Sequence, residues 1–297
     1  GSMTENVGCA HDTITASGSE WVSAGEVYIG YVGHGELNIL EGASAIANIL
    51  GTAMSIGNLP GAIGEVLVEG SGSELVTSTL FVGRGGTGTL TASTNAQVSA
   101  ASLQVGLGAP GAMLVDGASL STTSAILGAI ETQGTVTFEN LGLWNHYSFA
   151  PADPFIVGDE GTGTLNILSD SDVLLHNQTL PILGNGAAGH GTVNIDGQGS
   201  EMFVEIQSVT VGRMGTGVLN ITGGGLLQAA SWVVYLAELR DSDGTVHIAG
   251  SNSLFRGSLV LVGNAGAGAL DISAGGRLEA NEVSFASFPD SSGTATV

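Results

Sequence analysis

The side chains best suited to chemistry are a few histidines and carboxylates spread along the chain. Gly33-His34-Gly35 and Gly189-His190-Gly191 each present an imidazole on a flexible turn, and Asp159-Glu160 sets two carboxylates side by side. A histidine near paired carboxylates is what general acid and base work on a glycosidic bond requires. Each of these groups, however, occupies a turn that recurs elsewhere with other residues: Gly-Thr-Gly in place of Gly-His-Gly, and Arg84-Gly85 or Asn264-Ala265 in place of Asp159-Glu160. They therefore read as turn variation. Elimination on a uronate needs cations to neutralise the substrate carboxylate, and the chain has five arginines and no lysine. No Gly-x-Ser-x-Gly nucleophile element occurs. No catalytic residue is assigned, and the expectation is a protein that is not an enzyme, with a polysaccharide-active β-helix enzyme as the alternative.

Metal chemistry has equally thin support. Asp241-Ser242-Asp243-Gly244 and Ser169-Asp170-Ser171-Asp172 cluster oxygens that suit Ca²⁺, but neither extends into a complete calcium loop, and both read as solvated turns. Cys9 is the single cysteine, which excludes an intrachain disulfide and a cysteine metal site. No metal and no cofactor is expected.

One stretch breaks the pattern of its surroundings: Leu143-Trp144-Asn145-His146-Tyr147-Ser148-Phe149-Ala150-Pro151-Ala152-Asp153-Pro154-Phe155. Alternation of apolar and polar residues is lost here, and aromatics and prolines concentrate. Insertions on repeat scaffolds commonly form the binding face, so Trp144, His146, Tyr147, Phe149, Asp153 and Phe155 are the candidate binding residues. Packing of Trp144, Tyr147 and Phe155 on an outer wall is the competing reading.

The scaffold that must position these residues is a repeat. An apolar residue and a lead glycine are followed by a polar turn, Gly-x-Gly, and then apolar, polar, apolar. Strong copies run from Ile29-Gly30 to Ile39, Val82-Gly83 to Ala92, Val157-Gly158 to Ile167, Val211-Gly212 to Ile221 and Val262-Gly263 to Ile272. Weaker copies led by Gly57, Gly106, Gly128, Gly184, Ala237 and Ala286 lie between them, and successive leads are 22 to 30 residues apart. A period in the twenties marks a solenoid. Period-two alternation within each unit marks strands with one buried face. Three short strands with their turns fill such a unit, which gives an all-β fold: a parallel β-helix, or β-solenoid, of about eleven coils. Leu37, Leu90, Leu165, Leu219 and Leu270 should stack as one interior column, beside Ile39, Ala92, Ile167, Ile221 and Ile272. Asn38, Thr91, Asn166, Asn220 and Asp271 should form the exterior ladder between them. Gly18-Ser19-Glu20-Trp21 recurs as Gly72-Ser73-Glu74-Leu75 and Gly199-Ser200-Glu201-Met202, which assigns Trp21 to core packing.

The 27 acidic residues against five basic ones leave a net charge of −22. Such a surface repels phosphate backbones and anionic lipid, so neither nucleic acid nor direct insertion into a membrane is expected. Residues 1–3, Gly1-Ser2-Met3, read as an expression scar. Residues 4–297 read as a single β-helix passenger fragment truncated at both ends, its last unit unfinished at Val297.

Gly18-Ser19-Glu20-Trp21, Val27-Tyr28-Ile29-Gly30, Gly33-His34-Gly35-Glu36-Leu37-Asn38-Ile39 and Gly64-Glu65-Val66-Leu67-Val68-Glu69-Gly70-Ser71-Gly72-Ser73 together resemble the passenger-domain repeat of type V secretion autotransporters, which is shared with PEP-CTERM-associated surface proteins. The resemblance covers nearly the whole chain. It implies a right-handed β-helix exported across the outer membrane through a C-terminal β-barrel to the bacterial cell surface or beyond. It further implies a non-enzymatic adhesin in virulence, aggregation or biofilm formation. The partners implied are a host-cell surface protein or glycan, or self-association between passengers; an inert stalk presenting another domain is a plainer alternative.

Overall fold

The computed structural model describes residues 10–14, 18–47, 51–148 and 153–297, with only the backbone described for 10–14 and 230–232. Cys9 and residues 1–3 lie outside them. The described chain is a β-solenoid without helices. A 12-stranded sheet runs from Ala10–Ile14 to Ser292–Thr296, and a 16-stranded sheet runs beside it.

The parallel pairings of the first sheet place Leu37 beside Val66, then Leu90, Met113, Val136, Leu165, Val193, Leu219, Val246 and Leu270. This is the expected interior column, now with the weak units between the strong ones. All its members are buried, as are those of the neighbouring column from Ile39 through Ile248, while Ile272 packs partly buried at its end. Trp21 likewise packs partly buried against the core.

The three strand segments expected in each coil are present, but two of them belong to one sheet. In Glu74–Val82 they are fused into a nine-residue strand with two successive outward positions, Ser78 and Thr79, where the chain bends. In other coils the bend opens into a gap, as between Leu143–Ser148 and Phe155–Val157. This elbow is the corner at which the repeat changes length.

Glycine serves two purposes. Gly158 leads its coil at φ +76°, and a Cβ there would lie 2.2 Å from the His190 carbonyl oxygen of the next coil. Gly163 lacks a positive φ; a Cβ on it would point inward and lie 2.1 Å from the backbone nitrogen of Gly158. Conformational freedom explains the first glycine, whereas the second is required by close packing of backbone on backbone. Ala237 occupies the lead position in its own coil at φ +59°, a left-handed conformation that costs an L-residue with a Cβ about 1–2 kcal/mol.

The serine that recurs three residues after a turn glycine, as in Gly70 to Ser73, Gly197 to Ser200 and Gly250 to Ser253, also has a physical reason. Ser73, Ser200 and Ser253 are fully buried, and each hydroxyl donates to a carbonyl four residues earlier: Glu69, Asp196 and Ala249. Each also accepts an N–H from the turn of the preceding coil, that of Gly42, Asp170 and Gly224 respectively. The serine closes its own turn and ties it to its neighbour, satisfying backbone groups that water cannot reach.

Truncating Leu165 to Ala should cost about 2–5 kcal/mol as a core cavity, measured by urea denaturation. Replacing Ala237 with Gly should raise stability by up to about 1 kcal/mol, because it relieves the left-handed strain at a smaller entropic cost. An unchanged midpoint in the first variant, or a lowered one in the second, would contradict these assignments.

Candidate functional site

Alternation does not fail at 143–148. The strand Leu143–Ser148 carries Trp144, His146 and Ser148 inward and Leu143, Asn145 and Tyr147 outward. Trp144 is in register with Leu120 on one side and Val173 on the other, so it occupies an ordinary interior column. Phe155 opens the strand Phe155–Val157 and is also fully buried. The expectation that Trp144, His146 and Phe155 form a binding surface is therefore corrected, and so is the placement of Trp144 and Phe155 on an outer wall: all three fill the coil interior.

They do so as an aromatic cluster. The Trp144 ring stacks on Phe138 with centroids 5.5 Å apart and lies 4.9 Å from Phe155, which meets His146 edge-to-face at 5.1 Å. Burying each large ring removes about 150–250 Å² from water, which outweighs any advantage of leaving them exposed on a loop.

Thr122 is the polar hub of this cluster. Its Oγ1 accepts the Trp144 Nε1–H at 2.9 Å and lies 2.8 Å from Nδ1 of His146. Both contacts are satisfied when the threonine hydroxyl donates to Nδ1, which leaves the ring proton on Nε2. That nitrogen is buried and meets no partner among the described residues. Burial pushes the His146 pKa down to about 4; the Asp153 carboxylate acts against the shift, and His176 adds slightly to it.

Outside this core, Tyr147 remains at the surface, 37% exposed, and its ring stacks on His176 at 4.6 Å with an interplanar angle of 11°. His176 reaches Glu205 of the next coil at 3.5 Å, and the same carboxylate accepts the Asn177 backbone N–H at 2.9 Å. Asp153 is half-buried at the edge of the insertion. Phe149 lies outside the described residues. Of the six candidates, Tyr147 and Asp153 thus remain as surface groups.

The insertion has company. The elbow is also open between Asp172–Asn177 and Pro181–Leu183, and between Glu201–Val204 and Val209–Val211. In the following coil the register shifts between Ala229 and Val233. Four consecutive coils therefore add residues at one corner, as an earlier coil does between Ser44–Ala47 and Ala53–Ile56, and Leu180 and Ile206 are exposed there. The sequence reading missed this stack, because an addition of two or three residues is visible only once strand registers are known.

The remaining sequence candidates separate along the rod. His34 and His190 open strands at exposed positions, and His190 is in register with Thr162 and Thr216, as turn variation requires. Ser171 and Ser242 are buried in turn hydrogen bonds. Among the described residues, no three His, Cys, Asp or Glu side chains converge as a metal set. Asp172 and Glu201 are register partners on adjacent coils. Burial raises the pKa of both, helped by Asp170 for the first and by Asp172 for the second, with Arg256 opposing the latter.

No protein family in the comparison matches the chain. A stretch of 105 residues, 34% of the chain, is 34% identical to the protein named uncharacterized lipoprotein YdeK of Escherichia coli strain K12. The match spans 8% of that relative's length. Among solved structures, the chain is similar to a hyper-glycosylated fragment of TibA whose glycosylation is catalysed by TibC. The identity is 19%, with 95% of this chain and 93% of that one covered, at a TM-score of 0.23.

His146 gives this site a pH signature. In the unfolded chain the imidazole takes a proton as pH falls through its ordinary value near 6.5, whereas in the fold it resists until about 4. Between those values the unfolded state binds more protons, so stability falls as the solution is acidified from 6.5 to 4, by about 3 kcal/mol at most. Urea midpoints measured across this range should decline less steeply for His146→Gln than for the parent; equal slopes would remove His146 from the account.

Proposed function

We propose that the chain is a stretch of bacterial surface passenger that works as a non-enzymatic adhesive rod. Its contact would be the elbow at which four successive coils carry added residues. That stack is the observation on which the reading rests, because length changes gathered on one face of a repeat protein commonly form its binding face. Tyr147, Asp153, Leu180 and Ile206 offer an aromatic ring, a carboxylate and aliphatic groups at this corner. The lipoprotein whose segment resembles this chain and the autotransporter-like repeat both favour export to the cell surface. The partner would be a host-cell surface protein or glycan, or a second rod. Many weak contacts along and between rods would multiply into firm attachment.

A second reading has one observation in its favour. Asp172 and Glu201, both with raised pKa values on adjacent coils, form the acidic pair most suited to polysaccharide cleavage. Release of reducing ends from neutral or acidic glycans, abolished by Glu201→Gln, would establish this reading in place of the first.

Beads coated with the chain should clump or bind animal cells above an inert coat. Deleting residues 149–154 leaves two residues between His146 and Phe155, as Thr123 and Ser124 lie between Thr122 and Ala125 one coil earlier. That deletion spares the buried strand and should reduce attachment about tenfold or more. Equal attachment by both coats would move the contact away from this insertion, and none by either would leave a stalk.

A further inference from the structure

Four of the five arginines lie against neighbouring carboxylates, three carboxylates between them. Arg213 lies 3.8 Å from Glu238 and Arg240 lies 3.7 Å from Asp290, while Arg256 and Arg277 share Glu279 at 2.8 and 2.6 Å. Arg84 has no ion-pair partner among the described residues. Its guanidinium lies 4.8 Å over the Phe81 ring, and Nη1 donates to Ser55 Oγ at 3.3 Å. Among the described residues, a chain of net charge −22 thus leaves the Arg84 guanidinium without a carboxylate partner, held in place by a ring.

The surroundings of Arg84 follow from the stacking rule. Tyr28, Ser55 and Phe81 form one outward column over three coils. Tyr31, Asn58 and Arg84 each follow the lead glycine of the same three coils, and the Asn58 and Arg84 N–H groups bond to Gly30 and Gly57 carbonyls at 2.9 and 3.1 Å. The Tyr31 ring meets Tyr28 edge-to-face at 5.0 Å. One position further along each turn, Val32 and Leu59 are 61% and 37% exposed, and Ile63 beside them is 46% exposed. Asn58 lies between Tyr31 and Arg84 in its column. It is 8% exposed, and its Oδ1 is buried without a hydrogen-bond partner. The corner therefore combines exposed aliphatics, two of the chain's four tyrosines, the unpaired arginine and an unsatisfied acceptor.

We propose that this corner docks a protein partner, with Arg84 anchoring an aspartate or glutamate that the partner carries among apolar side chains. Tyrosine and arginine dominate the energetics of protein interfaces, and the planar guanidinium can hold a carboxylate through two parallel hydrogen bonds. An acidic sugar would satisfy Arg84, but its hydroxyls would be desolvated without partners against Val32, Leu59 and Ile63. A second copy brings another −22 of charge to the contact. The site stands on earlier coils than Tyr147, Asp153, Leu180 and Ile206 and holds whether or not the elbow binds.

The test is to pan a phage-displayed random peptide library against the immobilised chain, after depletion on an Arg84→Gln variant. That variant should fold and melt as the parent does, because the same turn position holds Asn58, Leu107, Ala129 and Asp159 in other coils. Enriched peptides should share an acidic residue flanked by large apolar ones. Their affinity should fall about tenfold or more on Arg84→Gln, and by less on Arg84→Lys, which keeps the charge but loses the fork. The proposal is overturned if no peptide is enriched, if enriched peptides lack the acid, or if they bind Arg84→Gln equally well. Binding of acidic oligosaccharides that depends on Arg84 would overturn it in favour of a glycan site, and dimerisation in sedimentation that Arg84→Gln abolishes would overturn it in favour of a second copy.

Discussion

Parallel backbone pairing brings equivalent positions of successive coils to about 4.8 Å of one another. No side chain in this chain is therefore placed alone; each is one member of a column, and its energy depends on the members above and below. The interior columns use this by stacking Leu, Val and Ile in unbroken contact. Turns use it as well, since a buried serine such as Ser200 can close its own turn and cap the turn of its neighbour with one hydroxyl. The same constraint helps exclude a Cβ at Gly163, which would lie 2.4 Å from the Leu127 carbonyl oxygen of the preceding coil.

On the outside, stacking puts like charges in register in places, Glu36 with Glu65, Asp116 with Glu139 and Asp172 with Glu201, but one ladder is built of amides instead. Asn220 donates to Asn194 at 2.8 Å, Asn194 to Asn166 at 2.8 Å, and Asn166 to Thr137 at 3.0 Å. An amide carries both donor and acceptor, so it can repeat indefinitely along a column where a carboxylate cannot. Elsewhere a carboxylate in a ladder meets a nitrogen-bearing side chain: His247 faces Asp271 at 3.6 Å, and Arg213 stands between Asn185 at 3.0 Å and Glu238 at 3.8 Å. Each such exposed contact is small, but together they let the rod keep one register over its length.

The columns were legible in the sequence because alternation and a lead glycine recur often enough to align the coils without coordinates. Leu165, Asn166 and Ile167 each stand where that alignment placed them. What was misread was Trp144 to Phe155. Tryptophan, histidine and phenylalanine where the preceding coil has Leu120, Thr122 and Ala125 hid an alternation that continues unbroken through Ser148, and the prolines beyond suggested that the irregularity began earlier than it does. Thr122 could not be identified as the partner of both Trp144 and His146, since that contact depends on inter-coil register and not on spacing within one unit. The elbow stack and the Arg84 corner were hidden for the same reason: their members are some 25 to 30 residues apart in sequence and adjacent only across coils.

Because columns absorb most of the side chains into mutual contacts, the positions left for recognition are those where a column is interrupted or unsatisfied. At the elbow the interruption is one of length. Coils with a tight bend, such as the one containing Glu74–Val82, are followed further along by four that spread open, and Tyr147 marks the first of these. At the Arg84 corner the interruption is one of chemistry: Tyr31, Asn58 and Arg84 form a column whose members do not satisfy one another, unlike Asp159, Asn185 and Arg213 at the same turn position, which are linked at 2.7 and 3.0 Å. The same turn position thus serves structure where its members pair and is left open where they do not, so the recognition proposed for it would need no departure from the fold that carries it.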